Sequence, residues 1–187
     1  MVKVHDKHTV PGFSPDDVFE AGIRTKNIPR DLDHLTITPQ KNQRKLRPDS
    51  TLAVVFSCQD SPLQRFQEDD VEIEVAVTAF KPAELVVIEG ESDEVAARLT
   101  IELSRAARNG TRVSHELEIE LLEARRSKRI LFEAIGAKLF QGDITMFRTA
   151  HLASTLEDLD KKKPAPVAPI RKPFIEQPDF DKVASSI

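Results

Sequence analysis

Apolar and polar residues alternate through most of the first 121 positions of this chain, and a helical period replaces the alternation afterwards. Val2, Val4, Asp6, His8 and Val10 fall on one face of a first strand, with Lys3, His5, Lys7 and Thr9 on the other. The inner face of that strand therefore carries two ionisable groups among valines. Pro11-Gly12 ends it. Ser14-Pro15-Asp16-Asp17 then supplies an N-cap hydroxyl, a proline at the first helical position and carboxylates in the first turn, which predicts a short helix to Ala21 closed by a left-handed Gly22. Asn27-Ile28-Pro29 predicts a second short helix that turns Ile28 and Leu32 inward.

Six more strands are expected. They cover 35–38, 51–58, the alternation Val71, Ile73, Val75, Val77, the run 85–88, then Leu99, Ile101, Leu103, and finally Val113, His115, Leu117, Ile119, Leu121. Short connections imply an antiparallel order, and the polar stretch 59–70 reads as a loop. A two-residue turn at Asn109-Gly110 sets Ile101 opposite Glu118, mixing inner and outer faces. A three-residue loop Arg108-Asn109-Gly110, with Gly110 left-handed, instead pairs Leu103 with His115, Ile101 with Leu117 and Leu99 with Ile119. That register points His115 inward. From about 123 to 158 the period is helical: Leu131, Phe132, Ile135, Leu139, Gly142, Met146, Ala150 and Ala153 form a stripe opposite Lys138, Gln141, Thr145, Arg148 and Thr155. A helix this long needs a wide partner, and the inner face of the sheet is the one available. Gly136 and Gly142 within it predict close packing or a bend.

Composition sets the limits. A chain of 187 residues with 40 % hydrophobic and 31 % charged residues is globular, and its length suits one core, placed at 1–160, plus an appendage at 161–187. That appendage holds Pro164, Pro166, Pro169, Pro173 and Pro178 and reads as a disordered tail, in which Phe174, Ile175 and Phe180 mark where a protein partner would dock. Its six basic residues against three acidic ones make it positive; with −4 on the whole chain, the body carries −7, which argues against nucleic acid. No apolar run is long enough for a membrane span, and no signal-peptide pattern opens the chain, so the expected location is cytoplasmic. The lone Cys58, among Val54, Val55 and Phe56, reads as a small buried hydrophobe. Glycine-loop, serine-elbow and helical histidine-pair motifs are lacking, so no cofactor and no metal are expected. The run Arg125, Arg126, Lys128, Arg129 reads as a solvated face or as a steering patch for anions.

Phe13-Ser14-Pro15-Asp16-Asp17-Val18-Phe19 after the first strand and Asn109-Gly110-Thr111-Arg112-Val113 at the last hairpin resemble pieces of the START-like, or SRPBCC, superfamily. The element order over residues 1–160 resembles the same superfamily. The resemblance implies an α+β helix-grip fold: a seven-stranded curved antiparallel sheet, two short helices after the first strand, and a long C-terminal helix across the sheet. It also implies a cavity between sheet and helix, and neighbouring first and last strands. Candidate lining residues are Asp6, His8, Val75, Ile101, His115, Leu117, Ile135, Leu139 and Met146. With phenylalanine the sole aromatic type, apolar cargo is favoured. The first expectation is binding, transport or sensing of a hydrophobic small molecule, lipid- or polyketide-like. The alternatives are a polyketide cyclase or dehydratase using Asp6, His8 and His115 as acid and base, and a protein-interaction module.

Overall fold

The structure, a computed structural model, describes residues 1–40, 42–59, 61–66, 69–107, 109–122 and 124–161. The order is β1 (Val2–Pro11), α1 (Pro15–Gly22), a 3₁₀ turn (Thr25–Asn27), β2 (Leu35–Pro39), β3 (Thr51–Phe56), a second 3₁₀ turn (Pro62–Arg65), β4 (Val71–Lys81), β5 (Leu85–Glu91), β6 (Val95–Ala106), β7 (Gly110–Leu121) and α2 (Arg126–Asp160). The seven strands form one antiparallel sheet in the order β1-β7-β6-β5-β4-β3-β2. The two ends of the chain's strand sequence thus meet, since β1 hydrogen-bonds to β7 over its whole length. The pairing of β4 with β5 slips between Val77 and Ala79, a bulge that bends the sheet.

Local chemistry explains α1. Ser14 is its N-cap, accepting the Asp17 amide, with Pro15 at the first position and Asp16 and Asp17 in the first turn. The expected left-handed stop at Gly22 is absent; Ile23 caps the helix in right-handed geometry. The second short helix shrinks to the single 3₁₀ turn, because Ile28 is already extended before Pro29, as a residue preceding proline prefers. Ile28 and Leu32 nevertheless face the interior. Stretch 59–70 is more than a loop: its 3₁₀ turn buries Leu63, and Phe66 follows at 5 % exposure.

The β6–β7 hairpin turns one residue earlier than expected. Ala106 pairs with Gly110, and Asn109, at φ 57°, takes the left-handed conformation assigned to Gly110. Moving the loop by one position moves the pairing by two, so faces are preserved while partners change: Ile101 opposes His115, Leu103 opposes Val113 and Leu99 opposes Leu117.

The long helix is rotated from the stripe read in the sequence. Its buried row is Phe132, Gly136, Phe140, Asp143, Ile144, Phe147, His151, Thr155, Asp158 and Leu159. Leu131 and Met146 are exposed at 45 % and 39 %, and Ile135 and Leu139 are only half-buried. Gly142 is open, whereas a Cβ on Gly136 would come within 2.8 Å of Val2 Cγ2, so the helix touches β1 there. Phe140, fully buried, meets Phe132 at 6.1 Å and Phe56 of β3 at 6.4 Å; Phe66 completes the group against Phe132 at 5.3 Å. This phenylalanine cluster fills one end of the interior. Cys58 sits beside it, 4 % exposed, and burial pushes its thiol up to about 11, which leaves it unreactive near neutral pH. The basic residues 125–129 lie on the exposed start of α2, away from the cavity described below.

Candidate functional site: an apolar cavity with a histidine end

The other end of the interior is hollow. Because α2 packs on β1, β7 and α1, it leaves part of the sheet's inner face uncovered. Ile37, Val54, Ala97, Leu99 and Ile101 point inward by register, yet none is fully buried, and all five line the hollow. Its volume is about 90 Å³. Val18 and Phe19 of α1 roof it together with Ile23, Ile28 and Leu32, and Ile144 and Phe147 close the α2 side. Fully buried Leu, Val and Phe side chains around such a space stabilise the fold by about 1.5–3 kcal/mol each.

Two polar ties hold the roof to α2. His151 Nε2 lies 2.9 Å from the Gly22 carbonyl oxygen, and the approach is close: a Cβ on Gly22 would come within 3.3 Å of that imidazole. Asp158, 4 % exposed, accepts from Lys26 Nζ at 2.5 Å, Arg24 Nη1 at 3.0 Å and Asn27 Nδ2 at 3.0 Å. The Lys26 ammonium, first among these, holds the Asp158 carboxyl down at about 2. A third tie fixes the segment before β2: Asp143 accepts the His34 amide at 3.0 Å and lies 3.1 Å from His34 Nδ1. Burial raises the Asp143 carboxyl, and the His34 contacts oppose that rise.

Polar groups collect at one end of the hollow. His8 of β1 stacks on His115 of β7 with ring centroids 5.4 Å apart and planes 11° apart. His115 meets Phe147 at 5.5 Å and His151 at 5.8 Å, both edge-on. His115 is fully buried, and neither of its ring nitrogens has a hydrogen-bond partner; the same holds for His8 Nδ1 and Thr155 Oγ1. Each such atom costs about 1–3 kcal/mol. Burial is the first cause that pulls all three histidines toward neutrality: His8 falls to about 4, His115 well below its ordinary value, and His151 also downward. Asp6, opposite His115 in the β1–β7 pairing, turns to Arg148, whose Nε is 3.3 Å from its Oδ2, an ion pair without hydrogen-bond alignment. Among the described residues no set of three His, Cys, Asp or Glu side chains is arranged to hold a metal ion.

The residues proposed from sequence divide accordingly. His8, Val75, Ile101 and Leu117 are in the wall, and His115 touches three wall residues, His8, Phe147 and His151. Asp6 faces Arg148 instead of the hollow, Ile135 and Leu139 pack against the core elsewhere, and Met146 lies in a shallow groove beside β1. The sequence reading missed His151, Asp143 and Thr155. Their signal was the spacing of Phe132, Phe140 and Phe147, which marks the buried row more faithfully than Leu131 and Met146 do.

No family model matches the chain, and no curated protein matches it. Solved structures do. A protein of Thermus thermophilus, TTHA0849, superposes with a TM-score of 0.57 at 14 % identity, covering 83 % of this chain and 98 % of its own. A Staphylococcus aureus protein of unknown function gives 0.55 at 12 % identity over 84 % and 96 %. The Zhui aromatase/cyclase of a Streptomyces species gives 0.52 at 10 % identity over 87 % and 97 %. The chain has the helix-grip fold, a curved seven-stranded antiparallel sheet with a long C-terminal helix. No helix among the described residues is long and apolar enough to cross a membrane.

Proposed function

We propose that the chain binds a small, predominantly apolar molecule in the hollow between sheet and helix. The supporting observation is the uncovered inner surface of Ile37, Val54, Ala97, Leu99 and Ile101, which a folded protein would otherwise fill with its own side chains. At about 90 Å³ the space is smaller than the roughly 150 Å³ that holds benzene or the roughly 300–1,000 Å³ of drug-sized sites. At rest the space suits a thin chain, and an occupant that carries a ring, or one of lipid or polyketide size, must spread the α1 roof from the sheet. Carriage or sensing in the cytoplasm suits this reading.

Cyclase or dehydratase chemistry would have to use the histidine end. At about 4, His8 is a weak base near neutral pH, where an efficient general base sits close to 7. Binding is therefore favoured over catalysis. The protein-partner role of residues 162–187 lies outside the described residues.

Titration with butylbenzene, followed by NMR, tests the reading through Ala97→Phe, which places a ring in the hollow. Saturable one-to-one binding in the wild type, weakened at least about tenfold in a variant that still melts cooperatively, is expected. Equal binding by both chains would remove the hollow as the site.

A further inference from the structure

The histidine end gives the hollow a polarity, and its atoms specify what could satisfy it. Four buried polar atoms stand there without partners: His8 Nδ1, both nitrogens of His115, and Thr155 Oγ1. His151, one turn before Thr155, is already engaged with the Gly22 carbonyl. His8 and Thr155 belong to the wall of the hollow, and the fully buried His115 stands directly behind it, in ring contact with three wall residues, His8, Phe147 and His151.

Building on the cavity reading above, we propose that these atoms form a recognition site for a single neutral hydroxyl on an otherwise apolar ligand, an alcohol or a phenol. A neutral imidazole offers one donor and one acceptor, and a hydroxyl is itself both donor and acceptor, so the two match in either tautomer. A carboxylate or phosphate does not match. Arg148, beside the histidines, is engaged by Asp6, Arg98 in the wall lies 3.5 Å from the Glu89 carboxylate, and Asp143 adds a carboxyl to the same wall. Charging an imidazole here to receive an anion works against its burial. A purely apolar ligand fills the space but leaves the nitrogens unmatched.

The test compares three ligands of one size, 4-butylphenol, butylbenzene and 4-butylbenzoate, by calorimetric titration at pH 7.5 against the wild type and His115→Leu. In the wild type the phenol binds at least about tenfold tighter than butylbenzene, and the benzoate binds weakest. In His115→Leu butylbenzene keeps its affinity, and the phenol's advantage falls to within about twofold. Should the variant fail to fold, ring ¹⁵N signals of histidine-labelled wild type give a second reading: the phenol alters the Nδ1 and Nε2 shifts of His8 and His115 toward a hydrogen-bonded pattern, and butylbenzene does not. Equal affinity for phenol and butylbenzene overturns the proposal while leaving the cavity reading in place, and so does an advantage for the benzoate or one that persists in His115→Leu. Failure of all three ligands to bind overturns the cavity reading, and this proposal with it.

Discussion

Acid should weaken this fold through its buried histidines, and His8 allows the effect to be sized. In the folded chain burial holds His8 at about 4, against 6.5 for an unperturbed imidazole. Protons therefore bind the unfolded chain first: the contribution is whole above pH 6.5, declines as the pH falls, and is gone below about 4. Between pH 7.5 and 5 the full linkage amounts to roughly 2 kcal/mol. His8 is only partly shielded from solvent, which screens this to about 1 kcal/mol, or roughly 2–4 °C in melting temperature for a domain of this size. His115 and His151 are shifted the same way and add to the trend. His8→Leu removes the His8 share and supplies an apolar side chain to the wall. Urea denaturation of both chains at pH 7.5 and pH 5 measures the difference. The variant should lose about 1 kcal/mol less than the wild type on acidification. Equal losses, or a wild type that gains stability in acid, would refute the assignment of His8 as a buried neutral ring.

The rotation of α2 is tested by a pair of neighbours. Phe147→Ala should cost about 3–5 kcal/mol, whereas Met146→Lys, at a site 39 % exposed, should stay within about 0.5 kcal/mol of wild type in the same denaturation assay; the opposite ranking would restore the stripe that runs through Met146. Asp158→Asn should lower stability at pH 7 by about 1 kcal/mol, discounted for the exposed Lys26 partner, by loosening Lys26, Arg24 and Asn27. Asp158 is depressed to about 2, so its contribution is present above about 4 and lost as the pH falls through 2, and thermal melts of the variant should lack that part of the acid loss.

Much of the fold is legible from alternation. Strands with a clean period of two, such as Val71 to Val77 and Val113 to Leu121, have one buried face and therefore declare it in the sequence. The inward set of the β6–β7 hairpin is legible for the same reason, while its partners are not: shifting the loop by one residue moves pairing by two and leaves every face unchanged. The helix α2 misleads because four of its buried residues are polar. Asp143, His151 and Asp158 are matched by His34, Gly22 and the Arg24–Asn27 segment, more than 100 residues away, and Thr155 faces the hollow. Without those partners in view, Leu131, Ile135, Leu139 and Met146 look like the core row. His8 and His115 stand out in sequence as ionisable residues on apolar faces; their stacking needs the β1–β7 pairing, and their neutrality needs the lid of α2.

Native mass spectrometry of the purified chain addresses the occupant of the hollow most directly. A fraction of the protein should carry a retained small apolar molecule, released on denaturation, with Ala97→Phe appearing at its bare mass when prepared identically. A wild type that is ligand-free as isolated and takes up neither butylbenzene nor 4-butylphenol under the same conditions would contradict hydrophobic ligand binding as the function of this fold.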